Sequence, residues 1–409
     1  MKNLSKRDYS ILIGNAVDHF DTALYSFLAP IFAGLFFPNS DPMISLILAY
    51  SVLATTIITR PLGSYIFGLI ALTHGPAVSL SYSLVGVGIA TMALGFIPTY
   101  EQIGFYAPIL LIILRLIGGI FSSGEITIAK LYILSDKTNR DAFKNSYLYQ
   151  TSVMIGIVFA SFVSTIVLDH QESGYWRICF IIGGITALFG YGLRIYKTEK
   201  LPFSTKQILS LYSAGGVKTL WNNKILLLRI AITSGFGYMT YSVPFIIMNN
   251  LVPEFTNLTL KDLMPSNTTL LVMDMILLPI IGYFLVKFKL KNILLLSVSI
   301  LAITIIPLWC QVENTSFSYI IFIKIWIIII GVVFSDTINL WYNELIPKAE
   351  KYLITGVGSS IGAAIIGKMA PAICLGLYHH TKSPLVIGWF VFIISLGTIW
   401  AIAWPYKTL

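Results

Sequence analysis

Twelve apolar blocks of about twenty residues run the length of the chain, and charged residues lie inside them: Asp18, Asp21, Arg60, Arg115, Glu125, Asp274, Lys324 and Lys368. A block of that length matches the ~20-residue helix needed to cross hydrocarbon. An ionisable side chain in hydrocarbon costs at least ~2.5–3.5 kcal/mol on insertion scales, so these charges are expected to face one another or a wet interior path. The expected fold class is an all-α polytopic membrane protein with twelve transmembrane helices, and the expected activity is solute transport.

Composition argues the same way. Hydrophobic residues make up 56% of the 409 and charged residues 11%, against about 25% charged in soluble domains. That excludes a water-soluble domain of this size. The basic N-terminus leads into an apolar run reaching Phe37 without a small-residue cleavage site, so a retained first helix is expected. A net charge of +9 would suit a nucleic-acid partner in a soluble protein. Here the basic residues gather between the blocks, and no nucleic-acid partner is expected. Cys179, Cys310 and Cys374 form no CxxC pair and read as packing residues. His379–His380 lacks a third ligand at suitable spacing, so no metal is expected. There is no HExxH and no nucleophile with a histidine partner, so neither an enzyme nor a cofactor is expected.

Hydropathy windows of ~19 residues place helices near 11–37, 43–69, 78–97, 105–130, 146–168, 176–196, 225–248, 268–287, 292–310, 317–340, 353–376 and 384–404. Lys and Arg resist translocation. Putting Lys6, Arg7, Lys137, Arg140, Lys200, Lys218, Lys289 and Lys348 inside leaves little more than Arg177, Lys261 and Lys382 outside. Both termini are therefore expected in the cytoplasm. The longest cytoplasmic stretch, 197–224, separates an N-terminal six-helix bundle (1–196) from a C-terminal one (225–409). Two such bundles rocking about a central site is a common carrier arrangement. The partners expected are a small-molecule substrate, protons and the lipid bilayer, with the chain acting as a monomer.

The first helix reads GNAVDHFDTALYSFLAPIFAGLFFP. Asp18 and Asp21 are three apart and share one helical face, with Asn15 and Tyr25 extending the polar stripe. Two close carboxylates in low dielectric cannot both ionise cheaply, so one of them is a candidate proton carrier. The alternative is a structural pairing of each with Arg60 or Arg115, and the sequence leaves both readings open.

That helix resembles the opening helix of the metabolite:proton symporters, the branch of the major facilitator superfamily that includes proline/betaine, citrate and 2-oxoglutarate carriers. Their pattern is G-N-x-x-E-[WF]-[YF]-D-[FW] followed by Y-x-F-x-A-P; here Asp18 stands for the Glu, His19 for an aromatic, and Asp21 matches. RPLGSYIFG at 60–68, the stretch 97–125 with Arg115, Gly119, Gly124 and Glu125, and IGAAIIGKMAP at 361–371 follow the second, third-to-fourth and eleventh helices. In the loop after helix two, Leu72 stands where the superfamily has Asp and Pro76 where it has Arg; after helix eight, Val286 takes the acidic position. The charge latch of these loops is missing.

The resemblance implies a cavity between helices one, four, seven and ten, with Arg115 central as an anion-binding or charge-relay group. Glu125, ten residues on, is about 15 Å further along the axis and reads as a gate or structural charge, as do Arg60 and Asp274. Lys368, at a position usually Gly, and Lys324 add cations that suit a substrate with several carboxylates, or one of which Asp274 neutralises internally as a gate pair; both readings stay open. Tyr238 and Tyr241 are further candidate contacts. The expected function is proton-coupled symport of a small organic solute in a bacterial inner membrane. An anionic carboxylate is favoured, including citrate-like molecules or citrate-based siderophores, with proline/betaine-type uptake as the alternative. A non-transporting, transporter-like sensor is the reading from another class.

Overall fold

The computed structural model describes residues 6–134, 139–169, 174–192, 215–285, 287–313, 315–346 and 351–404. Within them the chain is helical throughout. The first part comprises α1 (Lys6–Phe36), α2 (Pro42–Ala54), α3 (Thr56–His74), α4 (Pro76–Leu94), the short α5 (Tyr100–Ile103), α6 (Tyr106–Leu134), α7 (Asn139–Asp169) and α8 (Tyr175–Gly192). The second comprises α9 (Gly215–Asn222), α10 (Lys224–Ser242), α11 (Met248–Phe255), α12 (Leu260–Leu285), α13 (Leu290–Trp309), α14 (Phe317–Leu345), α15 (Lys351–Gly362), α16 (Ala370–Thr381) and α17 (Leu385–Ala403). Val286, most of the 197–224 linker and the side chains of Leu72 and Glu125 lie outside the described residues.

Ten helices among the described residues are long and apolar enough to cross a bilayer. Their outward faces carry large apolar side chains such as Ile58 (77% exposed) and Ile303 (73%). Contiguous apolar surface on this scale is rare on soluble monomers and suits acyl chains.

The spans expected at 11–37 and 176–196 are not among the ten, the one expected at 268–287 begins at Leu260, and three more differ in detail. The predicted 43–69 helix is interrupted at Thr55, where the Thr55 and Thr56 hydroxyls donate to the carbonyls of Val52 and Leu53, each at 2.7 Å. The predicted 225–248 and 353–376 helices each contain one widened turn, Val243–Ile247 and Ala363–Lys368, in which an amide bonds five residues back. Pro244 and Pro371 supply no N–H to the regular ladder, which is why the register shifts beside them.

Packing follows the same scheme in both parts. In the first, α1 lies on α7 and α3 on α6, with α4 between α6 and α8; in the second, α10 lies on α15 and α13 on α17. At Gly156 of α7 a Cβ would come within 2.0 Å of the Ala16 carbonyl oxygen on α1, and at Gly362 of α15 within 2.0 Å of the Ala231 carbonyl oxygen on α10. Backbones approach this closely in membrane bundles where small residues line the contact. The two parts meet along α7 against α12, α3 against α15 and α2 against α16. Those seams are pinned by Ser161 Oγ to Thr268 Oγ1 at 2.8 Å and Ser64 Oγ to Ser360 Oγ at 2.7 Å.

Candidate functional site: a charged cavity between the two parts

A cavity of about 200 Å³ lies at the meeting of α1, α7, α10, α12 and α14 with the widened turn at Ala363–Lys368. Its polar lining includes His19, Tyr238, Tyr241, Asp274, Asn339 and Lys368. The volume is below the ~300–1,000 Å³ of drug-sized pockets, which limits the contents to a small solute.

Behind the His19, Tyr238 and Lys368 side of this cavity sits a cluster of charges. Arg115 Nη1 donates to Asp21 Oδ2 at 2.9 Å, and its guanidinium lies 4.2 Å from the centre of the Tyr25 ring. Tyr25 is oriented by donating from its hydroxyl to the Ala49 carbonyl at 3.0 Å. Arg60 donates to Ser122 Oγ at 3.3 Å. Asp18 is 1% exposed, within the electrostatic reach of Arg60, Asp21 and Lys368. Lys368 in turn senses Arg60, Arg115, Asp18 and Asp21. Three cations thus face two carboxylates. The three-residue spacing on α1 turns Asp18 and Asp21 toward the same neighbours, while Arg60 on α3 and Arg115 on α6 arrive through the α3–α6 contact.

The structure does not bring every predicted residue to the cavity. Asn15 is fully buried against α7, donating to Ser152 Oγ at 2.7 Å. Lys324 is fully buried and donates to Asn249 Oδ1; Asn249 itself donates to the Phe245 carbonyl at 2.9 Å. That amide holds the Lys324 side chain between α11 and α14, away from the cavity lining. Tyr25 is fully buried outside the cavity lining, with its ring against the Arg115 guanidinium.

Two further charges within apolar blocks escape the sequence reading. Arg229 on α10 is 1% exposed and donates from Nε to the Ala401 carbonyl at 2.6 Å, a helix-end contact. Asp336 on α14 is also 1% exposed and lies near Asp274. Both carry the signal that singled out the others, a charge inside an apolar run.

Fold and cavity together define an integral membrane protein with a small cavity where helices from its first and second parts meet, its mostly apolar lining interrupted by a few polar and charged side chains, as suits a secondary carrier. The profile of the Major Facilitator Superfamily matches residues 11–368, and the chain belongs to that family. It is a transporter and not an enzyme, related to carriers of the metabolite:proton symporter type. It is 27% identical to the alpha-ketoglutarate permease of Escherichia coli (strain K12) over 373 residues, covering 89% of this chain and 85% of that one. It is 25% identical to a putative proline/betaine transporter of Staphylococcus aureus (strain COL) over 402 residues, covering 94% and 84%. Its fold is similar to that of a xylose transporter from E. coli in a partially occluded inward-open conformation, with a TM-score of 0.73 at 14% identity over 96% and 95% of the two chains.

Proposed function

We propose that the chain is a proton-coupled symporter of a bacterial inner membrane that takes up a small zwitterionic solute of the proline or betaine type. Alternating access is provided by two six-helix bundles, 1–196 and 225–409, joined by the cytoplasmic linker 197–224, with both termini inside. The matched close contacts of Gly156 on Ala16 and Gly362 on Ala231 support the equivalence of the two bundles.

The observation that carries this reading is that a single cavity is lined both by Lys368 and by Asp274. Lys368, backed by Arg60 and Arg115, receives the solute carboxylate. Asp274 receives the cationic nitrogen, with Tyr241 beside it. Aromatic faces next to a carboxylate suit ammonium groups, quaternary ones included. Asp18 and Asp21 handle the coupled proton together: Asp18, 1% exposed, takes it, while Asp21 beside it on the same helical face stays in its 2.9 Å pair with Arg115. Relatives that include proline/betaine transporters at 25% and 22% identity agree with this chemistry.

A second reading is an anionic carboxylate solute. The excess of cations in the Arg60–Arg115–Lys368 cluster and the 27% identity to an alpha-ketoglutarate permease favour it. A non-transporting sensor is motivated by Leu72, Pro76 and Val286 in the two altered loops. Uptake into proteoliposomes under an imposed inward-acid gradient separates the three. Proline or glycine betaine accumulates on the first reading, 2-oxoglutarate or citrate on the second, and on the third solute binds without flux. In the Asp18→Asn variant, solute exchange is expected to persist while gradient-driven accumulation is lost.

A further inference from the structure

The geometry points to a second proton-binding site, in the C-terminal part and separate from the Asp18–Asp21 cluster, at which Asp336 holds a proton while Asp274, on the cavity wall, stays free to meet the cationic end of a solute. The solute half of this statement rests on the zwitterion reading above; the proton half does not.

Asp336 is 1% exposed, and neither of its carboxyl oxygens accepts a hydrogen bond from a described residue. It is enclosed by α12 and α7. A Cβ on Gly282 of α12 would lie 3.2 Å from Asp336 Oδ2 and 3.5 Å from the Tyr147 ring of α7, so the carboxyl sits close against the α12 backbone at this glycine. Ser146 of α7 directs its hydroxyl to the Asp336 backbone carbonyl at 3.5 Å and not to the carboxyl. One turn further along α14, Asn339 lines the cavity and is 3% exposed, and its Oδ1 is likewise without a donor. The charged group acting on Asp336 is Asp274, which lines the cavity with Tyr241 nearby.

Two carboxyls and an amide oxygen are acceptors, and no cation among the described residues pairs with Asp336 or Asp274. A buried carboxylate with a second carboxylate in electrostatic reach, and with neither counter-charge nor donor, is the least favourable state of such a group. A proton on Asp336 removes one charge and creates the missing donor. A metal ion is a poorer occupant, since no group of three or more His, Cys, Asp or Glu gathers here among the described residues.

The location gives the proton a consequence. Ser335 and Asp336 both accept bonds from α7 through their backbone carbonyls, from Gln150 Nε2 and Ser146 Oγ at 3.5 Å each. Asp336 therefore sits on the seam between the two parts, where a change of charge bears on their separation. A cation at Asp274 favours the ionised form of that residue and leaves the proton on Asp336.

Infrared spectroscopy of the purified full chain, in the absence of solute, tests this through the C=O stretch of protonated carboxyl groups. At about pH 7 an ordinary Asp, with a pKa of about 3.9, is ionised and silent in this region. The expected result is a deuterium-sensitive band that Asp336→Asn removes, Asp336→Glu restores and Asp274→Asn does not abolish. The Asp18→Asn/Asp21→Asn double variant is expected to retain it, which decides the matter even where Asp336→Asn does not fold. Loss of the band in that double variant, its survival in folded Asp336→Asn, or its disappearance on adding sodium chloride to the wild type overturns the assignment. Failure of the zwitterion reading in uptake assays leaves this band unchanged, so the two outcomes are distinguishable.

Discussion

His379 Nε2 meets Asp41 Oδ2 at 2.9 Å, joining residues 338 positions apart and tying the end of α16 to the cap of α2. The same carboxylate accepts the Met43 amide on its other oxygen at 2.8 Å, so one side chain both starts a helix of the first part and holds the second. His379, and then the Met43 amide, hold the Asp41 carboxyl below its ordinary range.

A depressed carboxyl contributes stability that is fully present above its unfolded pKa, about 3.9 for Asp, and lost as pH falls through its lower folded value. The expected outcome is that the wild type unfolds at a higher temperature than Asp41→Asn at neutral pH, and that the two converge in strong acid. Thermal unfolding of both proteins across pH checks this.

The buried Arg115–Asp21 pair predicts a larger effect. Removing one partner strands the other charge, which costs roughly 3–5 kcal/mol in buried pairs. Arg115→Ala is expected to lower the unfolding temperature sharply, and Asp21→Asn combined with Arg115→Gln to recover part of the loss. Arg115→Lys is expected to be poorly tolerated too, because the guanidinium contact over the Tyr25 ring at 4.2 Å is lost.

Lys368 and Lys324 are expected to separate cleanly. Lys368 lines the cavity, and a hydrogen bond to a charged group contributes about 1.5–3 kcal/mol. Lys368→Ala should therefore weaken solute binding by roughly ten- to a hundred-fold. Lys324→Ala, which orphans Asn249, should lower stability with little change in which solute is bound. Ligand-induced thermal shifts of the two variants distinguish binding from stability.

Glycines on the helix contacts predict opposite signs by position. Gly156→Ala places a Cβ 2.0 Å from the Ala16 carbonyl oxygen, and overpacking of this kind typically costs about 1–3 kcal/mol. Gly376→Ala meets nothing within 4 Å, and there the helix gains roughly 0.5–1 kcal/mol from reduced backbone freedom. Unfolding temperatures of the two single variants provide the comparison.

The amino-acid sequence by itself determined the helical, membrane-embedded class and the approximate ends of most spans, because a bilayer demands one long apolar helix per crossing and that demand is local in the chain. It also marked charges worth attention, since an ionic group within an apolar run stands out whatever its neighbours. The partners of those charges were legible only in part: pairing of Asp21 with Arg60 or Arg115 was one of two open readings, and nothing in the chain pointed from Lys324 to Asn249. Arg115 joins Asp21 across 94 positions, and Asn249 takes Lys324 out of the cavity across 75; both depend on helices meeting side by side. The tertiary structure decided which lysine faces the cavity, and it alone buried Asp336 on the seam between the two parts. Pairing of side chains is set by helix rotation and seam geometry, which hydropathy does not encode.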